Sequence, residues 1–437
     1  MLACQNCGAN VKFDIASQQM RCEYCDSYFD PYSYDKKETD GIEVKDFDAT
    51  IFICPQCGGE ILSTDNTAAG FCSFCGASTV LYSRIQKEKR PNYIIPFKKT
   101  KDDCKQAYSD LMKKAIFAPN DLKDPKFIDG FRGIYMPYWT YYISQKGPFS
   151  LRGKKEHRSG DYIVSDHFEL SGNLDAYYKG LSYDASSSFA DNISEALAPY
   201  DVKGMKAFTP GYLSGFYADT ADVAPEVYMP EAERIANNET KNSISGVQFS
   251  SFLPETGING EAHGYTTKFE AVDYSMFPVW FMSYRNGDRV AYATVNGQSG
   301  KVVADLPVDK KKYILGSFLL ALPIFILLCL LFTPTPSTAL IVTGIISIIT
   351  TIIFFVQYSS IKEKKPTMTG AILSIITIVL SLGILLFKPV FDAWYYGACV
   401  IMTISDFITL TEIINAYNIL STRELPQFNH QGGDDHA

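Results

Sequence analysis

Basic residues do not outnumber acidic ones in this chain of 437 residues: 40 Lys and Arg face 48 Asp and Glu, a formal charge of -8. That balance excludes a chain coated with positive charge for nucleic acid. Histidine is scarce. The five present, His157, His167, His263, His430 and His436, are scattered, and no spacing joins them to a nucleophile. No GxSxG elbow, HExxH helix or GxGxxG fingerprint occurs. Gly300-Lys301 is not a phosphate-binding loop, because Val295 stands where its first glycine belongs and Val302 replaces the hydroxyl residue. The expectation is that the chain is not an enzyme. With 46% apolar residues it is not largely disordered either, and its length suggests two to four structural units.

Cysteine is concentrated rather than absent. Eight of the eleven fall in the first 75 residues, as Cys4, Cys7, Cys22, Cys25 and then Cys54, Cys57, Cys72, Cys75. Each block reads CxxC, fourteen residues, CxxC, and the second repeats the first at an offset of 50, down to the glycines Gly8 and Gly58. A CxxC turn sets two thiolates on one side of a knuckle, and two facing knuckles supply four sulfurs at about 2.3 Å from a tetrahedral zinc. Glycine after the knuckle suits a left-handed backbone. A disulfide framework would need an oxidising compartment and a secretory signal, and Met1-Leu2-Ala3 before Cys4 supplies neither a basic nor an apolar segment. The reading is two structural zinc ions, one within each block as the natural pairing, with interleaved ligation across blocks still open. Cys104, Cys329 and Cys399 are scattered, and the last two lie in apolar runs.

Charge is missing from Tyr313 to Phe332, a run of about 20 residues that suffices to cross roughly 30 Å of hydrocarbon. Ala339 to Tyr358 and Gly370 to Phe387 are further spans; Trp394 to Ile414 is a fourth, interrupted by Asp406 and Glu412. The prolines in the short loop Thr333 to Thr338 predict an antiparallel hairpin between the first two helices. Lys310, Lys311 and Lys312 precede the first span, and Lys362, Lys364 and Lys365 separate the second from the third, whereas only Lys388 falls in an outer loop. By the positive-inside rule both termini, the cysteine blocks and everything up to Asp309 are cytosolic in a multi-pass cell-membrane protein. A three-span alternative lays the fourth segment on the outer surface. An ionised aspartate at mid-bilayer costs about 2.5 to 3.5 kcal/mol, so Asp406 must face protein or water. Asp406 and Glu412 are therefore candidates for an ion or proton site.

Between these regions, residues 84–97 read as a basic linker with a proline-marked extended element. Residues 98–306 read as an α+β domain, possibly of two related halves. Thr100 to Phe117 carries Cys104, Ala107, Leu111, Ala115 and Ile116 at helical spacing. Met136-Pro137-Tyr138-Trp139 matches Phe277-Pro278-Val279-Trp280 at an offset of 141, each on a predicted strand, and the tryptophans are read as core anchors. Asn286-Gly287 marks a hairpin. His157 and Arg158, in a basic run, mark a solvated loop or hairpin tip.

Residues 1–83 hold five basic residues against twelve acidic ones, before each Cys4-zinc site adds about two negative charges. These modules should repel a nucleic-acid duplex; only residues 84–105 are locally basic, and their position also suits anionic lipid headgroups. A protein partner fits better, with Tyr24, Tyr28, Phe29, Phe71 and Phe74 read mostly as small ribbon cores.

The paired knuckles, RPNYIIPFK, GIYMPYW and FPVWF with ATVNGQSGKVVADLP, taken in this order, resemble a bacterial group of zinc-ribbon membrane proteins, some labelled transcription factor IIB-type zinc ribbon proteins and some after the primosomal helicase. The resemblance spans nearly the whole chain and implies tandem zinc ribbons, a cytosolic domain and a membrane bundle, with no established activity; no helicase motif supports the second label. The expected architecture is multidomain: residues 1–50 as ribbon 1 and linker, 51–83 as ribbon 2, the linker and α+β domain, helices at 313–332, 339–358, 370–387 and 394–414, and a polar tail at 421–437. The expected role is a membrane-anchored scaffold or adaptor that binds a protein partner. The alternatives are a transport or channel component using Asp406 and Glu412, and a nucleic-acid-binding ribbon protein.

Overall fold

A computed structural model describes residues 2–35, 46–63, 72, 74–77, 82–248, 253–254, 263–331, 334–362 and 365–425. Phe71, Lys364, His430, His436 and the side chains of Arg84, Lys87 and Cys329 lie outside the described residues. In chain order, ribbon 1 contributes β1 (Val11–Asp14), β2 (Gln19–Cys22) and β3 (Tyr28–Phe29), and ribbon 2 contributes β4 (Asp46–Ile53), β5 (Glu60–Ser63) and β6 (Tyr82–Lys89). Then follow β7 (Tyr93–Ile94), α1 (Lys101–Lys114), α2 (Pro125–Ile128), β8 (Arg132–Ser159), β9 (Tyr162–Asp184) and α3 (Asp191–Leu197). The sheet-rich part ends with β10 (Lys206–Ala207), β11 (Tyr217–Ala218), α4 (Met229–Gln248), β12 (Leu253–Pro254), β13 (Thr266–Asn286), β14 (Arg289–Asn296) and β15 (Val302–Ala304). Four membrane-length helices come last, α5 (Lys310–Leu331), α6 (Pro336–Ser360), α7 (Thr369–Phe387) and α8 (Ala393–Leu420), before a short strand, β16 (Arg423–Glu424).

Ribbon 1 is a three-stranded antiparallel meander. Its inward residues alternate along β1 and β2, with Val11, Phe13, Met20 and Cys22 buried. They share a core with the larger domain: Phe13 meets Tyr212 edge to face with ring centroids 5.1 Å apart, and its amide donates to the Ser214 carbonyl at 3.0 Å. Arg90 locks the connection. Its guanidinium grips the Asp35 carboxylate at 2.9 and 2.5 Å and donates to the Phe208 carbonyl at 2.8 Å.

Ribbon 2 is an extension of the central sheet. β4 lies between β5 and β6, antiparallel to both, and β5 pairs with β11, which runs parallel to β8. The basic segment expected as a linker from residue 84 is thus strand up to Lys89, because its register with β4 runs unbroken from Tyr82↔Ile53 to Lys89↔Asp46.

The two matching Pro-x-Trp segments are neighbours. β8 and β13 pair antiparallel, with Trp139 opposite Tyr274 and Trp280 opposite Gly133. Both indoles are buried and hydrogen bonded, Trp139 to the Val223 carbonyl at 2.7 Å and Trp280 to the Lys99 carbonyl at 2.9 Å. β13 turns into β14 through Asn286-Gly287, where Gly287 has φ +64°. β8 and β9 form a long hairpin whose far end, with His157, is solvent exposed.

α1 starts with a capping box: the Thr100 hydroxyl accepts from the Asp103 amide while the Asp103 carboxylate accepts from the Thr100 amide. Cys104, Tyr108 and Met112 are its buried stripe. Ile116, expected on the inward face, is 64% exposed because the helix stops at Lys114.

α6, α7 and α8 pack together, whereas α5 buries none of its apolar span. The expected hairpin of the first two helices is therefore not the packing unit. Among lipid tails, apolar bulk gives helices no reason to associate, and small or hydroxyl residues do. Ser347, Thr351, Ser374, Thr377, Ser381, Ser405 and Thr409 are buried between α6, α7 and α8, whereas α5 carries a single serine or threonine, Ser317, near its first end. α5 is instead held at its first turn, where Lys312 donates to the Ala118 carbonyl at 2.7 Å and Tyr313 packs on Phe117. α8 runs to Leu420, past the expected boundary at 414, and the residues after it are not merely a tail: Arg423 and Glu424 pair with Val290 and Arg289 of β14.

Candidate metal centres and intramembrane acids

The eight N-terminal cysteines gather into two tetrads, each within one sequence block. Among the described residues no histidine and no carboxylate joins either one. Within each tetrad all four sulfurs lie within 4.8 Å of one another. Across the knuckles, Cys4 and Cys25 sulfurs are 3.6 Å apart, Cys7 and Cys22 3.5 Å, Cys54 and Cys75 3.8 Å, and Cys57 and Cys72 3.7 Å. Four sulfurs at 2.3 Å from a common centre define a tetrahedron with edges of about 3.8 Å, so the spacing fits one zinc ion per tetrad. It is far beyond a disulfide bond, which needs about 2.05 Å.

Each knuckle is closed by a backbone bond to the carbonyl of its first cysteine. The donors are Gly8 to Cys4, Asp26 to Cys22, Gly58 to Cys54 and Gly76 to Cys72, at 2.8–3.1 Å. All four donors have positive φ, between 53° and 77°. Gly8 and Gly58 were legible from the repeat. Gly76 fits the same rule, and Asp26 is a non-glycine in the left-handed region whose carboxylate is held by Arg21 at 2.7 Å.

The two centres differ in exposure. Cys7 and Cys25 are exposed and Cys4 and Cys22 buried, while all four sulfurs of the second tetrad are buried among Phe52, Ile61, Phe74 and Ala77. Phe74 stacks edge on to Phe281 of β13, which fixes this ribbon against the main sheet. The Ser27 hydroxyl, 3.2 Å from the Cys25 sulfur, and the Ser27 amide lower the Cys25 thiol, while the neighbouring sulfurs raise that of Cys7. A closed Cys4 set leaves no coordination position for water. Of the knuckle aromatics, Phe74 is buried, but Tyr24 is 83% and Tyr28 47% exposed, contrary to the expectation that they fill the ribbon core.

The two other cysteines whose side chains are described stand apart from both tetrads. Cys104 is buried on α1, where burial pushes its thiol above the ordinary range, and Cys399 lies on α8 beside the Thr343 hydroxyl.

The two acids of α8 do different things. Asp406 sits near the middle of the helix and accepts hydroxyl bonds from Ser347 at 2.7 Å, Thr350 at 3.3 Å and Ser374 at 3.4 Å. Glu412, 3% exposed, accepts the Gly370 amide at 3.0 Å and the Ala371 amide at 3.3 Å, and the Thr367 hydroxyl at 3.3 Å. α7 has no capping side chain of its own at Met368, so Glu412 satisfies its first amides from the neighbouring helix. Gly370 permits this approach: a Cβ there would lie 2.5 Å from the Thr409 amide nitrogen. None of these hydroxyl partners, nor Gly370, follows from a local sequence pattern.

No family model matches the chain, and no solved structure matches it. Among curated proteins it is similar to the uncharacterised protein YdjG of Bacillus subtilis strain 168, 28% identical over 313 residues, which covers 71% of this chain and 90% of that one.

Proposed function

We propose that this chain is a membrane-anchored zinc-ribbon protein whose ribbons and sheet domain face the cytosol and bind a protein partner, as a scaffold or adaptor and not as an enzyme. The observation that carries this reading is the exposure of Tyr24, Tyr28 and Tyr32 on ribbon 1, a module whose other large apolar side chains are shared with the domain core. Tyrosine supplies contact area at low entropic cost and is enriched at protein interfaces. The ribbon's acidity favours a basic protein surface over a nucleic acid. Zinc in closed Cys4 sites serves to hold these modules folded.

The membrane arrangement follows the same logic. α5 leaves the sheet domain directly after β15, and the chain returns from α8 into β16 on that same domain. An even number of crossings satisfies both attachments, which supports four spans over three. Lys310, Lys311 and Lys312 at this face, with Lys362 and Lys365 at the α6–α7 connection, support a cytosolic placement by the positive-inside rule, and reduced thiols would be available to zinc there.

A photo-crosslinking residue at position 24 tests the partner reading: it should give a discrete adduct in native membranes that an equally exposed control at Tyr162 does not, and matching patterns at the two positions contradict it. A second reading, ion or proton transport, is favoured by the three hydroxyls that converge on Asp406. Flux in proteoliposomes that is abolished by Asp406→Leu would support it, and no flux would exclude it.

A further inference from the structure

Residues of β8, β9, α3, α4 and β13, with the loop at Ala198 to Tyr200, line a half-open cavity of about 410 Å³ in the sheet domain, on chain segments separate from both cysteine tetrads and from the membrane helices. Its walls are aromatic. Tyr183 and Tyr228 stack face to face, with centroids 5.0 Å apart at 6°, and Tyr138 stacks on Phe277 at 4.4 Å, with Tyr200 against the same ring at 4.7 Å. At this wall lies Asp184. Its side chain is 4% exposed, and its Oδ1 has no hydrogen-bond partner. The buried Tyr183 hydroxyl, which lines the same space, also lacks one.

Unpaired buried acceptors are costly and call for a donor. The charge around the cavity selects its sign: Asp191, Glu195 and Glu231 also line it, and among the described residues no Lys, Arg or His does. Two of these acids are already engaged, Asp191 by the Tyr228 hydroxyl at 3.3 Å and Glu231 by Arg234 from the same helix. Glu195 is exposed to solvent, which leaves Asp184 as the buried acid with a carboxylate oxygen, Oδ1, free to meet a cation. A hard metal ion would need six or more oxygen ligands, which ring faces do not provide. Aromatic faces do attract an ammonium group, through the negative face of the ring.

We propose that this cavity binds a small organic ammonium ion, with the Asp184 carboxylate as its anchor and the tyrosine faces as its walls. The volume lies within the range of small-molecule sites and matches a compact amine. Burial pushes the Asp184 carboxyl up to about 7, against the opposing pull of the Ser194 hydroxyl, so a bound cation would hold it ionised.

The test is calorimetric titration of the full detergent-solubilised, zinc-loaded chain with n-butylammonium, putrescine and tetramethylammonium, against 1-butanol and butyrate as neutral and anionic comparators. Saturable binding of at least one ammonium probe, with neither comparator binding, is expected. Asp184→Asn should weaken that binding by about tenfold or more, and Tyr228→Leu by about threefold, with zinc content and melting temperature reporting that each variant is folded. Equal binding of the alcohol, unchanged affinity in folded Asp184→Asn, or no binding of any ammonium probe overturns the proposal. Binding only of a lysine-bearing peptide, with no free amine bound, also overturns it, in favour of a protein side chain.

Discussion

The Glu412 carboxylate on α8 accepts the Gly370 amide on α7 at 3.0 Å, so one transmembrane helix caps the next. The contact needs both residues: the acid to meet amides that α7 cannot satisfy, and the glycine to let the two backbones touch. Gly370→Leu should open this crossing and destabilise the bundle by about 1–3 kcal/mol or more, and Glu412→Ala should cost about 1–2 kcal/mol. Detergent-denaturant melts of the full chain read both. An unchanged midpoint for Gly370→Leu would contradict the close crossing.

Exposure of Cys7 and Cys25, against full burial of the second tetrad, predicts that the two metals leave at different rates. A chromogenic chelator should remove one zinc per chain quickly and the other slowly. Cys7→Ser should abolish the fast phase and spare the slow one. A single phase in the wild type, or loss of the slow phase in that variant, would reverse this assignment.

Arg90 joins ribbon 1 to the domain through Asp35 and the Phe208 carbonyl, with both charged side chains about four-fifths buried. Arg90→Met should cost about 1–3 kcal/mol, because it strands a partly buried carboxylate. The local signature is faster amide exchange in residues 11–35 without change in β8 or β13. Uniform exchange changes across the sheet would mean that the pair supports the whole domain instead.

Two buried acids make stability fall as pH rises toward neutral. Burial raises Asp184 to about 7 and Asp219 to about 6, the latter against hydrogen bonds from the Ser186 and Ser188 hydroxyls. Because their folded values lie above the unfolded value near 3.8, their favourable contribution is complete below that value and is lost as pH passes through 6 and 7. Asp184→Asn carries no charge at any pH, so between pH 6 and 8 its stability should fall less than that of the wild type, by on the order of 1 kcal/mol. Zinc sites favour higher pH in both proteins equally, so the difference isolates Asp184. Parallel profiles would refute the assignment.

The two cysteine tetrads were legible because a CxxC knuckle is a local device: four residues and a left-handed closing position decide its geometry. α1 was legible for the same reason, through Thr100 and Asp103, as was the Asn286-Gly287 turn. What the chain pattern did not reveal depends on distant partners. Ribbon 2 joins the sheet through β11, which is only Tyr217 and Ala218, too short to signal a strand. Which apolar helices associate depends on hydroxyl residues spread over α6, α7 and α8, and Glu412 found its role only once Gly370, 42 residues earlier, lay beside it. Asp184 sits in an unremarkable Ser-Tyr-Asp-Ala stretch, and nothing local marks it as buried among rings contributed by four other elements and loops.

The most direct test of the account is metal analysis of the full chain extracted from membranes and purified without added metal. Two zinc ions per chain are predicted, falling to one in Cys54→Ser/Cys57→Ser and in Cys4→Ser/Cys7→Ser, with the protein remaining in the membrane fraction until detergent is added. Far less than two zinc ions per chain, with the cysteines recovered as disulfides, would contradict it.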